Sequence, residues 1–203
     1  INITMKKFSL LLFLMMLSVF SLHARINIGV KGGVNFSYQD VSLENVWLEQ
    51  PSIAGFHAGL TSSITLPFFG LGVQFETLFS QKGGVIRSES QQVRCRVNYI
   101  DIPLYFRWGY DFPMVRPYVG IGPYLSFLVH QSFDKNVSWL ADNVEEKLLK
   151  TDFGFGVILG VEVLSRFRID LSYQLGCRNL YDGTWDLDMK NRNLSLSLAY
   201  FLF

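Results

Sequence analysis

Apolar and polar residues alternate along most of this chain beyond residue 25. Between positions 26 and 37, the even positions hold Ile, Val or Phe apart from one glycine, whereas the odd positions hold Gly, Asn, Lys and Ser. Successive side chains of a β-strand point to opposite faces. The pattern therefore predicts a strand with one apolar and one polar face. The same alternation recurs in seven further segments, at 54–66, 71–80, 99–108, 116–127, 153–163, 167–178 and 193–203.

Eight such strands would expose eight apolar faces, and the sequence predicts no helix or second sheet that could cover them. Within a bilayer, only helices and closed β-barrels satisfy their own backbone hydrogen bonds. Apolar-out and polar-in alternation is the pattern of a transmembrane barrel. We therefore predict an all-β fold, an eight-stranded antiparallel up-and-down transmembrane β-barrel with a polar, side-chain-filled lumen. A soluble sandwich with the apolar faces in its core is the alternative.

The connections between these strands alternate in length. Outer-membrane barrels have short periplasmic turns and longer extracellular loops. We therefore expect the outer membrane of a Gram-negative cell, with the long loops extracellular and both termini periplasmic. The short turns are predicted near 67–70, 109–115 and 164–166, and the long polar loops at 38–53, 83–96, 130–151 and 179–192.

The N-terminal segment has the pattern of a secretory signal peptide. Lys6 and Lys7 precede an apolar run over 8–22, and Leu22-His23-Ala24 resembles a cleavage site. The run is shorter than the roughly 20 residues of a spanning helix, so an uncleaved anchor is the weaker alternative. We therefore divide the chain into a signal peptide at 1–24, with residues 1–4 upstream of a start at Met5, and a barrel domain at 25–203.

Charge and cysteine content exclude several functions. The formal net charge is +1, which gives no electrostatic reason to expect a nucleic-acid partner. Cys95 and Cys177 form neither a CxxC motif nor a metal-binding spacing, and the sequence leaves open whether they pair. We expect no metal and no cofactor.

The polar face carries a set of residues that we predict to form a structural network inside the barrel. An eight-stranded barrel is only wide enough for side chains to fill its interior, and a lone buried charge is costly. We therefore expect opposite charges to pair and to plug the lumen, with an ion or proton path as the alternative. The predicted network comprises Lys31, His57, Glu76, Asp101, Arg107, Arg116, Glu162, Arg168 and Asp170.

His57 is the one His on a predicted strand, and it is the main candidate for chemistry. Outer-membrane lipid hydrolases use a Ser/His/acid set, but no GxSxG motif, HExxH motif or phosphate-binding loop accompanies this residue. Such an enzyme must also present its residues to lipid. We therefore predict no catalytic residue and no enzyme, and keep a lipid-modifying enzyme as an alternative.

Aromatic residues in the predicted loops are candidates for contact with other molecules, since loops carry function on rigid scaffolds. Packing of each loop on itself is an equally good interpretation. The expected partners are outer-membrane lipid, the barrel-assembly machinery during insertion, and secretion or surface proteins. The candidate contact residues are Trp47, Trp139, Tyr181 and Trp185.

Four short stretches stand out in order along the chain: GVKGGVNFS at 29–37, GFHAGL at 55–60, YIDIPL at 99–104 and RPYVGIGPY at 116–124. Together they resemble the PorT-like outer-membrane β-barrel family of Bacteroidota. The resemblance implies an eight-stranded barrel in the outer membrane, a link to type IX protein secretion for the namesake, and no catalytic motif. One departure is the C-terminus. Barrels usually end on an outward aromatic residue, whereas Phe203 has the inward parity.

The resulting expectation is a non-enzymatic structural or interaction protein that presents four extracellular loops, as an accessory to protein secretion or transport. A lipid-modifying enzyme is the first alternative. A narrow ion or solute channel is the second.

Overall fold

The computed structural model describes nine β-strands within residues 25–43, 46–48, 53–66, 70–88, 91–133, 151–177 and 188–202. The strands are β1 (Arg25–Leu43), β2 (Val46–Leu48), β3 (Ile53–Thr65), β4 (Leu71–Ser88), β5 (Gln91–Gly109), β6 (Val115–Phe133), β7 (Thr151–Val163), β8 (Phe167–Gly176) and β9 (Asp188–Phe201). The predicted signal peptide, Trp139, Tyr181, Trp185 and Phe203 lie outside the described residues. No helix in the described ranges is long and apolar enough to cross a membrane.

Eight of these strands form a closed antiparallel barrel. Each barrel strand pairs with the next one along the chain, and β1 closes the cylinder by pairing with β9 from Gly29↔Phe201 to Ser42↔Asp188. The short β2 adds to β1 beyond the end of β3, in the register Val41↔Leu48 to Leu43↔Val46. The predicted all-β, eight-stranded, up-and-down barrel is confirmed.

The apolar faces point outward and the polar faces point inward, so the sandwich alternative is wrong. Leu60, Ile121 and Leu159 are each about 60% exposed on the outer surface, whereas inward neighbours such as Thr61 and Gly120 are buried. Aromatic rings gather at both ends of this apolar belt, with Phe56 beside Phe79 and Phe167 beside Tyr200. Such a surface suits lipid contact with aromatic girdles at the interfaces.

Several strands extend further at the loop end than the sequence pattern indicated. The predicted loop 83–96 is wrong for most of its length, because β4 and β5 remain paired as far as Ser88↔Gln91. Strands β1, β6 and β9 likewise run into the segments predicted as loops. Beyond the hydrocarbon layer both faces of a strand meet water, so backbone pairing continues there without any apolar and polar alternation to reveal it.

The short turns are compact and joined to one another. Leu164 N donates to Met114 O at 2.9 Å, which links the β7–β8 turn to the β5–β6 turn. Leu164 and Ser165 both have left-handed backbone angles, with φ of 53° and 57°. Two consecutive residues of this kind suit a tight hairpin whose twist matches its strands. The predicted short turns at 109–115 and 164–166 are confirmed.

A charge placed in the middle of the apolar belt should destabilise the barrel. Val157 lies midway along β7 on the outer surface. We expect Val157→Arg to lower the free energy of unfolding in lipid vesicles by roughly 2–4 kcal/mol, because a guanidinium then faces hydrocarbon. Denaturant titration followed by tryptophan fluorescence measures this change.

Leu164→Arg is the matched control, because Leu164 lies in the adjacent turn. There the cost should fall to about 0–1 kcal/mol. Equal losses at the two positions would contradict a lipid-facing belt.

Candidate functional site

The lumen brings together all nine residues of the predicted polar network. Each of these polar residues is at most 7% exposed. They are contributed by seven of the eight barrel strands, since period-two alternation directs one face of each strand to the axis. Their charges are compensated in three layers along the barrel, at the centre, at the turn end and at the loop end.

The central layer is a compact set of two cations and two carboxylates. Lys31 Nζ lies 2.8 Å from Glu76 Oε1 and 3.0 Å from Asp170 Oδ2. Arg168 contacts the same two carboxylates, at 3.2 Å and 3.0 Å respectively. Each charge therefore has two opposite neighbours, which offsets the large cost of removing ions from water.

Neutral side chains supply further hydrogen bonds around this centre, although Arg168 Nη1 is buried without an acceptor. Gln74 Nε2 donates to Glu76 at 2.5 Å, Arg168 Nη2 donates to Thr61 at 2.6 Å, and Tyr118 OH donates to Asp170. Such partners matter because a half-satisfied buried network is worse than none.

The turn-end layer is built around Arg107 and Glu162, whose Nη1 and Oε1 atoms lie 2.8 Å apart. Arg107 also donates to Gln74 at 3.0 Å, which joins this layer to the centre, and its guanidinium lies over the Tyr118 ring at 4.4 Å. Arg116 is 3.5 Å from the other oxygen of Glu162. The layer therefore blocks the barrel axis with fixed, bonded side chains.

The loop-end layer contains an ion pair between Asp101, which belongs to the predicted network, and Lys82, which does not. Lys82 Nζ lies 2.8 Å from Asp101 Oδ2 and donates to Gln174 at 3.2 Å. The ammonium also lies 5.5 Å from the ring centroids of both Tyr99 and Tyr124, within cation–π range. Lys82 was missed because its strand was ended at residue 80, although it shares the inward parity of Glu76.

Asp152 is a second buried charge that the predicted network omits. Its Oδ2 accepts hydrogen bonds from Tyr124 at 3.2 Å and from Asn191 at 2.9 Å, and the side chain is fully enclosed. Asp152 lies on the same face of β7 as Gly154 and Glu162. The alternation of the sequence could therefore have placed it in the lumen. With Lys82 and Asp152 added, the side chains that the structure describes in the lumen include five cations, Lys31, Lys82, Arg107, Arg116 and Arg168, and five carboxylates, Glu76, Asp101, Asp152, Glu162 and Asp170.

His57 lies inside the lumen between two neutral partners. Its Nδ1 is 2.8 Å from Asn35 Oδ1, and its Nε2 is 2.8 Å from Ser197 Oγ. The Asn35 amide nitrogen donates to the backbone carbonyl of Gln81, which accepts only, so Asn35 turns its oxygen toward the ring. The proton of a neutral His57 is therefore on Nδ1, and Ser197 donates to Nε2.

This Ser–His–Asn arrangement resembles a nucleophile, base and orienting group, but it lacks access to a substrate. Ser197 and His57 are 4% and 3% exposed, and both face the lumen instead of lipid. The crevice beside them has a volume of about 10 Å³, which is room for about one water molecule. An acyl chain cannot reach the serine in this structure.

Inward glycines leave space for large inward tyrosines. A Cβ added at Gly156 would lie 3.0 Å from the Tyr105 ring, and one added at Gly160 would lie 2.5 Å from both Tyr118 and Asp170. Small and large side chains thus tile the narrow lumen, as predicted from the sequence, without any ligand to accommodate.

A wider space lies toward the short turns. This cavity has a volume of about 490 Å³ and is bounded by the turn-end layer. It is lined by Arg25, Asn27, Thr65, Asp111, Phe112, Pro113, Met114, Val115, Arg116, Glu162, Leu164 and Ser165.

The cysteines and potential metal ligands add no further site. Cys177 carries a free, exposed thiol, and the described part of the chain does not include the Cys95 side chain. Across the described ranges, no group of three or more His, Cys, Asp or Glu side chains is arranged to hold a metal ion.

Comparison with known families agrees with this architecture. The family model described as "Outer membrane protein beta-barrel domain" matches residues 17–182. The chain belongs to this family. It is therefore an outer-membrane protein, with its apolar belt in lipid and its charged groups inside the barrel.

Three solved structures illustrate the similarity to other outer-membrane proteins. Ail, the attachment invasion locus protein of Yersinia pestis, is 14% identical, covering 88% of this chain and 99% of Ail, with a TM-score of 0.43. Neisserial surface protein A is 14% identical over 85% and 96% of the two chains, with a TM-score of 0.47. OprG from Pseudomonas aeruginosa is 10% identical over 88% and 95%, with a TM-score of 0.49. No curated protein matches the sequence. These similarities carry no information about function.

Breaking the central layer should destabilise the barrel strongly. Glu76→Gln removes the carboxylate that Lys31 and Arg168 share, so we expect a loss of about 3–5 kcal/mol in unfolding free energy. Denaturant titration in vesicles measures it. The half-exposed Asp111 pairs with Arg116 at the turn end of the barrel. Asp111→Asn should lower the unfolding free energy by about 0–1 kcal/mol. A Glu76→Gln barrel as stable as the Asp111→Asn control would show that the central layer contributes little.

The tiling of the lumen can be tested with two glycines. Gly160→Ala places a methyl group against Tyr118 and Asp170, so we expect a loss of about 1–3 kcal/mol. Gly32→Ala is the control, because its added Cβ has a single neighbour within 4 Å, the His57 carbonyl at 3.7 Å. Heat-modified gel mobility and vesicle unfolding would report both. Similar stability of the two variants would mean that the lumen has spare room at Gly160.

Proposed function

We propose that this protein is a non-enzymatic structural or interaction protein of the outer membrane, and that its loop-end rim binds partners as an accessory to protein secretion or transport. The observation that supports this proposal is the filled lumen. Among the described residues, five buried cations and five buried carboxylates are packed along the axis, with a crevice of about 10 Å³ at the centre. With the centre of the lumen occupied, the surfaces left to act are the two ends of the barrel and the lipid belt.

The proposed orientation places the short turns in the periplasm and the long strand ends outside the cell. Strands β4 and β5 support it, since they stay paired to Ser88↔Gln91 at the loop end, while the turn-end hairpins close within a few residues. Outer-membrane barrels have this asymmetry. The proposed partners are lipid, the assembly machinery and secretion or surface proteins. The PorT-like resemblance supports membership of that family in Bacteroidota.

Site-specific photo-crosslinking in intact cells tests the rim. A photoreactive residue at Trp47, which lies on β2 at the loop end, should form a defined crosslink to an envelope or surface protein. The same residue at Leu164 in the β7–β8 turn is the control for position. Crosslinks that arise from Leu164 alone would contradict both the proposed rim function and the proposed orientation.

The enzyme alternative has a direct test. Incubation of the purified barrel with lipopolysaccharide should release no acyl chains, since His57 and Ser197 are enclosed in the lumen. Acyl release by the wild type that Ser197→Ala and His57→Ala both abolish would overturn the non-enzymatic proposal.

A planar bilayer distinguishes a plug from a narrow channel. We expect the wild-type barrel to give no resolved conductance steps, because Arg107, Glu162 and the central layer occupy the axis. A wide porin inserted in the same bilayer controls for sensitivity. Wild-type openings that disappear in Arg107→Ala or Glu76→Ala would instead establish the channel alternative.

A further inference from the structure

The cavity at the turn end differs from the rest of the lumen in having both space and an uncompensated positive charge. Arg107 is neutralised by Glu162 at 2.8 Å, and the closest carboxylate to Arg116 is that of Asp111, at 3.1 Å. Arg25 also lines the cavity and has no ion-pair partner among the described residues. When each carboxylate is paired with its nearest cation, the guanidinium of Arg25 remains without an ion-pair partner among the described residues.

Arg116 also has unused hydrogen-bond donors. Its Nη2 donates to Gly70 O at 2.9 Å, but Nε and Nη1 are enclosed and make no hydrogen bond. They lie near Asp111 and Glu162 in distance, without the alignment that a hydrogen bond needs. Because both atoms are enclosed, a carboxylate in the cavity would interact with the positive charge of the Arg116 guanidinium and not through these two N–H groups. Arg116 is only 6% exposed, so its position is fixed by the barrel.

Beside Asp111 and Ser165, the two turns contribute an apolar patch to the wall of the cavity. Phe112, Pro113, Met114, Val115 and Leu164 line it. Phe112 is held by an edge contact with Tyr110 at 5.0 Å between ring centroids, and Met114 O is bonded to Leu164 N. An inorganic anion would make no use of this surface. A ligand with an apolar group would cover it.

We propose that the turn-end cavity binds a small amphiphilic carboxylate, with its carboxylate between Arg25 and Arg116 and its alkyl group against Met114 and Leu164. Guanidinium groups recognise carboxylates through charge-assisted, often paired hydrogen bonds. The volume of about 490 Å³ lies in the range of small-molecule sites. The proposal goes beyond the proposed function at the rim and does not depend on it, because the site lies at the opposite end of the barrel.

The chain contains its own reporter for this site. Only two methionines follow residue 25, Met114 in the cavity wall and Met189 on β9 at the loop end. The full chain is expressed with ¹³C-labelled methionine methyl groups, exported and placed in lipid nanodiscs. Met114→Leu and Met189→Leu assign the two resonances. Hexanoate is then titrated, and we expect a saturable shift at Met114 and none at Met189.

Matched ligands and variants separate specific binding from partition into lipid. Acetate, which lacks the tail, and 1-hexanol, which lacks the charge, should both bind at least about tenfold more weakly. Arg25→Gln should weaken hexanoate binding by about tenfold or more, since one charge-assisted contact is lost. Arg166→Gln removes the same charge from a neighbouring exposed position outside the cavity lining, and should leave the affinity unchanged.

Several results would overturn the proposal. These are the absence of a saturable Met114 shift, equal shifts at Met114 and Met189, equal affinity for hexanoate and 1-hexanol, or equal effects of Arg25→Gln and Arg166→Gln. Heat-modified gel mobility verifies that each variant is folded. None of these results bears on rim crosslinking, so the two proposals fail independently.

Discussion

The structure depends on one constraint: every backbone N–H and C=O group at membrane depth must find a partner within the protein. The pairing of β1 with β9 meets it, because it joins the first and last strands and leaves no open edge across the belt. Closure then fixes the size of the interior. With eight strands the interior is just wide enough for side chains, so the residues on the inner face must fill it and compensate one another.

That narrow interior explains why the charged network takes its observed form. Each buried ion loses its hydration free energy, which contacts with oppositely charged neighbours must offset. Glu76 is compensated in this way by contacts with both Lys31 and Arg168. Gln74 connects this centre to Arg107, so the layers share hydrogen bonds instead of standing alone. The same packing leaves the His57 and Ser197 pair without an approach route. In this structure His57 and Ser197 fill space in the lumen and satisfy each other's hydrogen bond.

The two ends of the barrel offer different surfaces. At the loop end, the paired strands continue beyond the apolar belt. At the turn end, two linked turns border a cavity in which polar and apolar side chains meet, and Arg116 beside it keeps two N–H groups without an acceptor. The charged layers of the lumen lie between these two ends.

The strands, the face on which each side chain lies and the membrane address could be predicted from the residues alone, because period-two alternation is local and lipid excludes charge from one face. The alternation also indicated eight of the ten buried charges among the described residues, and it missed Lys82 and Asp152, which lie beyond the ends of the apolar faces. Which charges meet became clear from the folded barrel, because partners such as Lys31 and Asp170 lie far apart in sequence and are brought together by strand register. The length of the strands at the loop end and the turn-end cavity also could not be predicted from the sequence. Backbone pairing in water and the contact between two turns require no alternation of apolar and polar residues.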